Sequence, residues 1–407
     1  MYDLAAIGAW IEFAVRWLHV ITGIAWIGSS FYFIALDLGL HRDRNLASGA
    51  DGEEWQVHGG GFYHIQKYLV APENMPDGLI WHKWQSYWTW ISGFILLVLV
   101  YYLGAEFYLL DPAVADLAAW QGIGLSLASL AFGWLVYNTL CRVFVDADQT
   151  VLMLALFGVL VMMSYFYSSV FSGRAAMLHL GAFTATIMSA NVFMIIIPNQ
   201  KIVVADLIAG RTPDARYGKI AKQRSTHNNY LTLPVIFLML SNHYPLAFAT
   251  EYTWIIASLV FLMGVSIRHY FNSMHARQGH PHWTWAVTVL LFIGIMWLST
   301  APMFRADAQE TAQGAALRFA EAPGFEEVHD IVLGRCSMCH AEEPVWEGLL
   351  WAPKGVRLET EHQIAGQARA IYLQSGASHA MPPANLSYME EAERDQIVRW
   401  YHAATGR

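Results

Sequence analysis

"RWLHVITGIAWIGSSFYFIALD", residues 16–37, has a charge only at each end, Arg16 and Asp37. Between them, His19 excepted, stand only apolar, aromatic, small and hydroxyl residues. A membrane-crossing helix needs about 20 mostly apolar residues. The stretch lacks the period-2 alternation of a strand, so a spanning helix over about 9–37 is expected. Seven more such segments follow, at about 82–104, 117–141, 149–171, 175–198, 228–248, 251–274 and 283–304. Pro112, Pro198, Pro245 and Pro302 punctuate segment ends, and Pro234 falls inside the sixth, where it should kink the helix. The expected fold is all-α, a polytopic bundle of eight transmembrane helices followed by a small polar domain.

Composition agrees. Of 407 residues, 56% are hydrophobic and 14% charged, with 17 Trp, unlike a soluble globular chain. The net charge of −8 argues against nucleic acid as a partner, whereas membrane lipid is an obvious one. Of three cysteines, Cys141 stands alone in an apolar segment, so no disulfide framework is expected. The N-terminus has neither a basic stretch nor a small-residue cleavage site, so insertion is expected to be driven by the first helix itself.

Loop charges set the expected orientation. Loops after the odd-numbered helices carry Arg42, Arg44, Lys67, Arg142, Lys201, Arg211, Arg216, Lys219, Lys222, Arg224 and Arg277. Those after helices two, four and six carry only Arg174. Positive loops stay in the cytoplasm, so both termini are expected in the periplasm of a bacterial inner membrane. The 37–81 loop is long and aromatic ("WQVHGGGFYHIQKYLVAP", 55–72), which argues for a functional loop rather than disorder.

After the bundle (1–304) and an Ala- and Gln-rich tether (305–322), residues 323–407 form the polar domain, with helices expected near 325–334, 361–373 and 388–404. It contains "GRCSMCHAEEP", residues 334–344. Cys336, Cys339 and His340 have the C-x-x-C-H spacing that attaches one haem c covalently, with His340 as axial iron ligand. The alternative is a zinc or thiol redox pair that precedes a histidine. A second metal ligand is expected in "SHAMPPANLS", where Pro382 and Pro383 stiffen Met381; His379 is its rival and Met389 reads as packing. The helices flanking Cys336 and Trp400 are expected to cross over one haem edge, as in a class I cytochrome c domain. The periplasm, where c-type haem is attached, agrees with the loop charges.

Ionisable residues inside a bilayer are costly and suggest function. His19, roughly 14 Å into its helix at 1.5 Å per residue, precedes Gly23 and Gly28 and is a candidate cofactor-binding residue, for instance for a haem b in the membrane domain; Arg16, one turn earlier, would pair with Glu12 or a propionate. With His19, His179 and His243 lie toward the periplasm. Toward the cytoplasm, His82 and His227 are candidate catalytic bases and Arg268 a candidate charge neutraliser, with Asn228 and Asn229 nearby; a planar, anionic, nitrogen-rich substrate would suit them. Ordinary interfacial anchoring is the competing explanation. A haem-copper oxidase is excluded because no His-His dipeptide occurs.

The stretches 16–37, "HGGGFYHIQKYLVAP" (58–72), "HKWQSYWTWISGF" (82–94) and "RCSMCH" (335–340), in this order, resemble the membrane-bound, cytochrome c-linked urate oxidases of bacteria, also called urate hydroxylases. The resemblance spans almost the whole chain. It implies that urate and water give 5-hydroxyisourate in purine degradation. Two electrons would leave through the c-type haem to a soluble cytochrome c or terminal oxidase, without hydrogen peroxide. It carries over Cys336, Cys339, His340 and Met381 as haem residues, and no urate-binding residue. The rival from another class is a non-catalytic cytochrome c electron-transfer subunit of a respiratory complex. A homo-oligomer is compatible with the sequence.

Overall fold

In the computed structural model, residues 4–43, 45–68, 76, 78–112, 114–145, 148–248, 250–300, 315–346, 349 and 352–406 are described. The end of the eighth expected span, most of the tether, and residues 69–72 of the aromatic loop lie outside them. The chain divides into two compact units, one of residues 1–110 and 117–300, the other of 301–407 with 111–116.

The first unit holds α1 (Leu4–Gly39), β1 (Ala50–His58), β2 (Gly61–Tyr68), α2 (Trp84–Leu96), α3 (Ala119–Val143), α4 (Gln149–Val170), α5 (Gly173–Ala190), α6 (Ile197–Ile208), α7 (Ala215–Leu240), α8 (Thr253–His275) and α9 (Trp283–Thr300). Side-chain caps start several of them: Asp148 accepts from the Thr150 amide at 2.6 Å, Ser172 from Ala175 at 3.3 Å and Asp214 from Arg216 at 2.8 Å. Among the described residues, six helices are long and apolar enough to cross a membrane: Trp10–Gly39, Ala119–Val143, Gln149–Val170, Gly173–Ile208, Thr253–His275 and Trp283–Thr300. The remaining two expected spans are helical but fall short on that measure. One widens after Leu96 into π-type turns over Leu97–Tyr102. The other is the C-terminal half of α7, which ends at Leu240.

α7 begins well before the apolar run that marks it in the sequence, and Arg224, counted above among loop cations, lies inside it, only 2% exposed. Polar residues hide this span because they bond to one another within the bundle. Pro234 lies inside α7 as expected. Its ring packs where α8 has Gly264, and a Cβ at 264 would stand 2.4 Å from Pro234 Cδ. Replacing Gly264 by leucine should therefore force the two helices apart and cost about 1–3 kcal/mol, seen as a lower thermal midpoint in detergent. An unchanged midpoint would show that the crossing is looser than this packing implies.

The all-α expectation needs one correction. The 37–81 loop contains an antiparallel hairpin, β1 with β2, in register from Val57 opposite Phe62 to Gly52 opposite Lys67. Gly59 and Gly60 form its turn, both with positive φ (+58° and +80°), the conformation that two-residue hairpin turns demand. Trp55 stacks on His64 at 4.3 Å, and His64 pairs with Glu53 at 2.7 Å. Tyr32 Oη donates to Gln56 at 2.7 Å and Lys67 pairs with Asp37, fixing the hairpin to the end of α1.

The second unit holds α10 (Ala315–Ala320), α11 (Phe325–Arg335), α12 (Glu361–Gly366), α13 (Ala368–Ile371) and α14 (Glu391–Thr405), close to the expected stretches. α11 packs on α14 through Phe325 against Trp400 and an Arg335–Glu393 ion pair at 3.0 Å. Trp400 is buried, and its indole N–H donates to the Phe319 carbonyl at 2.9 Å.

Candidate functional site

α11 delivers Cys336 at its C-terminal end, and the chain turns once more: the amides of Cys339 and His340 both donate to the Cys336 carbonyl, at 3.1 and 3.0 Å. Both thiols and the imidazole therefore come from one turn. Burial, then the neighbouring Cys339, pushes the Cys336 thiol up to about 12. Among the described residues no group of three or more His, Cys, Asp or Glu is arranged to hold a metal ion. His340 Nδ1 lies 2.9 Å from the Val356 carbonyl. A carbonyl only accepts, so Nδ1 carries the proton and Nε2 keeps its lone pair, the tautomer an iron ligand needs.

Met381 sits in a tightly held loop. Its amide donates to the Gln374 carbonyl at 2.7 Å, and its carbonyl accepts from Arg394 at 3.0 Å. Arg394, 3% exposed, also donates to Ser375 O at 2.6 Å. Of the rivals, His379 is exposed and paired with Glu391 at 3.6 Å, and Met389 is buried. Imidazole and thioether are the donor types a haem iron takes, and His340 and Met381 supply one of each in this unit.

The three candidate catalytic residues of the first unit fall in separate surroundings. His227, buried on α7, meets Tyr137 Oη through Nδ1 at 2.9 Å. Asn191 donates to both Tyr137 Oη and Asn228 Oδ1 at 2.9 Å, and the Arg224 guanidinium lies 4.8 Å from the Tyr137 ring centre. His227 and Tyr137 line an otherwise mostly apolar cavity of about 200 Å³. Arg268, on α8, is held by Asn229 at 3.2 Å and Asn272 at 2.9 Å and lies over the Phe31 ring at 4.1 Å. His82 is exposed and packs edge-on against Phe33 at 4.8 Å.

A different set of residues shares one cavity of about 240 Å³, lined among others by Arg16, His19, Trp90, Arg174, Ser189, Asn242 and His243. His19 Nδ1 lies 3.0 Å from the Thr89 carbonyl and 3.1 Å from Ser92 Oγ. As with His340, the carbonyl fixes the proton on Nδ1 and leaves Nε2 as an acceptor. α2 approaches closely because residue 93 is glycine; a Cβ there would lie 2.8 Å from His19 Cε1. Arg16 is paired with Glu12. His179, grouped with His19 above, is instead fully buried among Tyr101, Tyr167 and Phe171. The sequence pointed to His19 but not to Ser189 or Asn242, which come from distant segments. Its one hint of Arg174 was that this is the lone cation in the even-numbered loops.

The first unit is a helical bundle that encloses polar residues, and its six long apolar helices among the described residues are compatible with a membrane protein. The family model for the urate oxidase N-terminal region matches residues 5–299, and the chain belongs to that family. Membership points to an oxidoreductase acting on urate. No match was found among curated proteins or among solved structures.

Proposed function

We propose that this protein is a membrane-bound urate oxidase that hydroxylates urate with water and sends the electrons out through a c-type haem. The urate monoanion and one water give neutral 5-hydroxyisourate, one proton and two electrons. The observation that supports the reading is a C-x-x-C-H turn, with His340 Nδ1 held by the Val356 carbonyl, in the same chain as a match to the urate oxidase N-terminal family over residues 5–299. Cys336 and Cys339 would bind the haem vinyls, and His340 and Met381 the iron. Bound haem supplies one-electron acceptance; the chain supplies the ligands, and Arg394 holds the Met381 loop. The natural acceptor would be a soluble cytochrome c or a terminal oxidase. The protein would lie in a bacterial inner membrane with both termini and the haem domain in the periplasm, as the loop charges indicate.

The test is stoichiometry. Purified protein, urate and oxidised cytochrome c should yield two reduced cytochromes per urate consumed, with no hydrogen peroxide. Oxygen consumption matched by peroxide would contradict the proposal.

A further inference from the structure

We infer that the cavity beside His19 is the urate-binding site and that His19 accepts the proton. This rests on the reading above and names its site.

Three residues that line that cavity each hold an enclosed polar atom without a hydrogen-bond partner among the described residues: Arg174 Nε, Ser189 Oγ and Asn242 Oδ1. Buried polar atoms are nearly always satisfied; three orphans on residues around one cavity, together with the free Nε2 of His19, fit a polar ligand toward which these side chains turn on binding. Asn242 Nδ2 already donates to the Met239 carbonyl at 2.9 Å, which leaves its oxygen as acceptor. Such a ligand would accept from Arg174, donate to Asn242 and to His19 Nε2, and meet the Ser189 hydroxyl in either role. Urate has ring N–H donors and carbonyl acceptors in one plane. Arg174 favours its negative charge, and Trp90 offers a face for stacking.

Size separates urate from a porphyrin. An engineered apolar cavity of about 150 Å³ accommodates benzene. At about 240 Å³ the His19 cavity suits a two-ring planar molecule and is small for a haem. His227's cavity is mostly apolar, and Arg268 is already held by Asn229 and Asn272, although Asn229 Nδ2 there has no partner among the described residues. Arg174 begins α5, and His243 ends the 3-10 turn after α7. Loop charges assign both positions to the periplasmic end.

In the reaction, His19 Nε2 takes a ring N–H proton and the oxygen of water bonds to the ring carbon being hydroxylated; one water hydrogen stays on that oxygen as the hydroxyl and the other passes to a ring nitrogen, so that the proton on His19 is the one released. The two electrons would leave one at a time through a c-type haem held by Cys336, Cys339, His340 and Met381, with the external acceptor taking the first before the second is transferred.

The test uses the full-length, haem-loaded protein in detergent, with urate binding followed by equilibrium dialysis of radiolabelled urate. Ser189→Ala removes an orphan hydroxyl. It should weaken urate about 3- to 10-fold while leaving the thermal midpoint of the urate-free protein equal or higher; a merely structural serine would lower it. Arg174→Gln should weaken urate on the order of 10- to 100-fold. His19→Gln should lower kcat on the order of 100-fold or more with binding within a few-fold. Wild-type affinity in both Ser189→Ala and Arg174→Gln would overturn the assignment. So would acid-extractable haem in the wild type that is lost in His19→Gln. If the wild type itself neither binds nor oxidises urate, the proposed function falls; if it does both and these variants behave like it, only the site falls.

Discussion

Exchanging Cys336 and Cys339 for serine is expected to produce a protein with no covalently held haem and urate-dependent cytochrome c reduction at background. Both sulfurs come from the turn that ends α11, and no other described cysteine lies in that unit; Cys141 belongs to the helical bundle. The reaction leaves two electrons for which side chains offer no acceptor, so losing the cofactor should remove the whole rate rather than a fraction of it. Haem staining after denaturing electrophoresis and a cytochrome c reduction assay read both effects. Urate affinity should survive, because the orphaned atoms that would hold urate belong to the other unit. Full urate consumption by the double variant would show that electrons leave by another path.

The second large effect concerns Arg394. Its guanidinium is buried and spends its N–H groups on Ser375 O at 2.6 Å, Met381 O at 3.0 Å and Asn385 Oδ1 at 3.3 Å. Charged hydrogen bonds contribute about 1.5–3 kcal/mol each, and carbonyls left buried without a partner cost extra. Arg394→Met keeps the bulk and removes those bonds. It should destabilise the second unit by about 3–5 kcal/mol. It should also release Met381, lowering the haem midpoint potential, because methionine ligation raises it. Denaturant unfolding and a redox titration read the two effects separately. An unchanged potential in a folded variant would mean that Met381 is not the ligand or that Arg394 does not position it.

What could be read from the sequence was local. The Cys336–His340 spacing declares itself within five residues, and the apolar run of 16–37 has no other use than a helix. The hairpin was legible only in retrospect. Gly59–Gly60 between two short alternating runs is a hairpin signal, but the runs are rich in Glu, Gln, His and Lys, and only pairing across the strands, Glu53 with His64, makes them compatible with one another. α7 was half visible. Arg224 looks like a loop cation, and His227, Asn228 and Asn229 like the edge of the sixth span, until Asn191, Tyr137 and Arg268 arrive from other segments to bond them. The cavity was the least visible, because a missing hydrogen bond is a property of packing. His19, Arg174, Ser189 and Asn242 are far apart in the chain, and no spacing rule connects them. Grouping histidines by depth brought His227 and Arg268 together on paper, whereas α7 faces α3 and α5 with one and reaches α8 through Asn229 for the other.

The central claim is that electrons from urate reach the iron held by His340. The most direct measurement is the visible spectrum of the purified, oxidised protein in detergent, without oxygen, before and after urate. The account predicts the sharp reduced band of a c-type haem, with urate and not with xanthine or a quinol. No reduction by urate, together with ready reduction by a quinol, would contradict it and leave the chain an electron-transfer subunit.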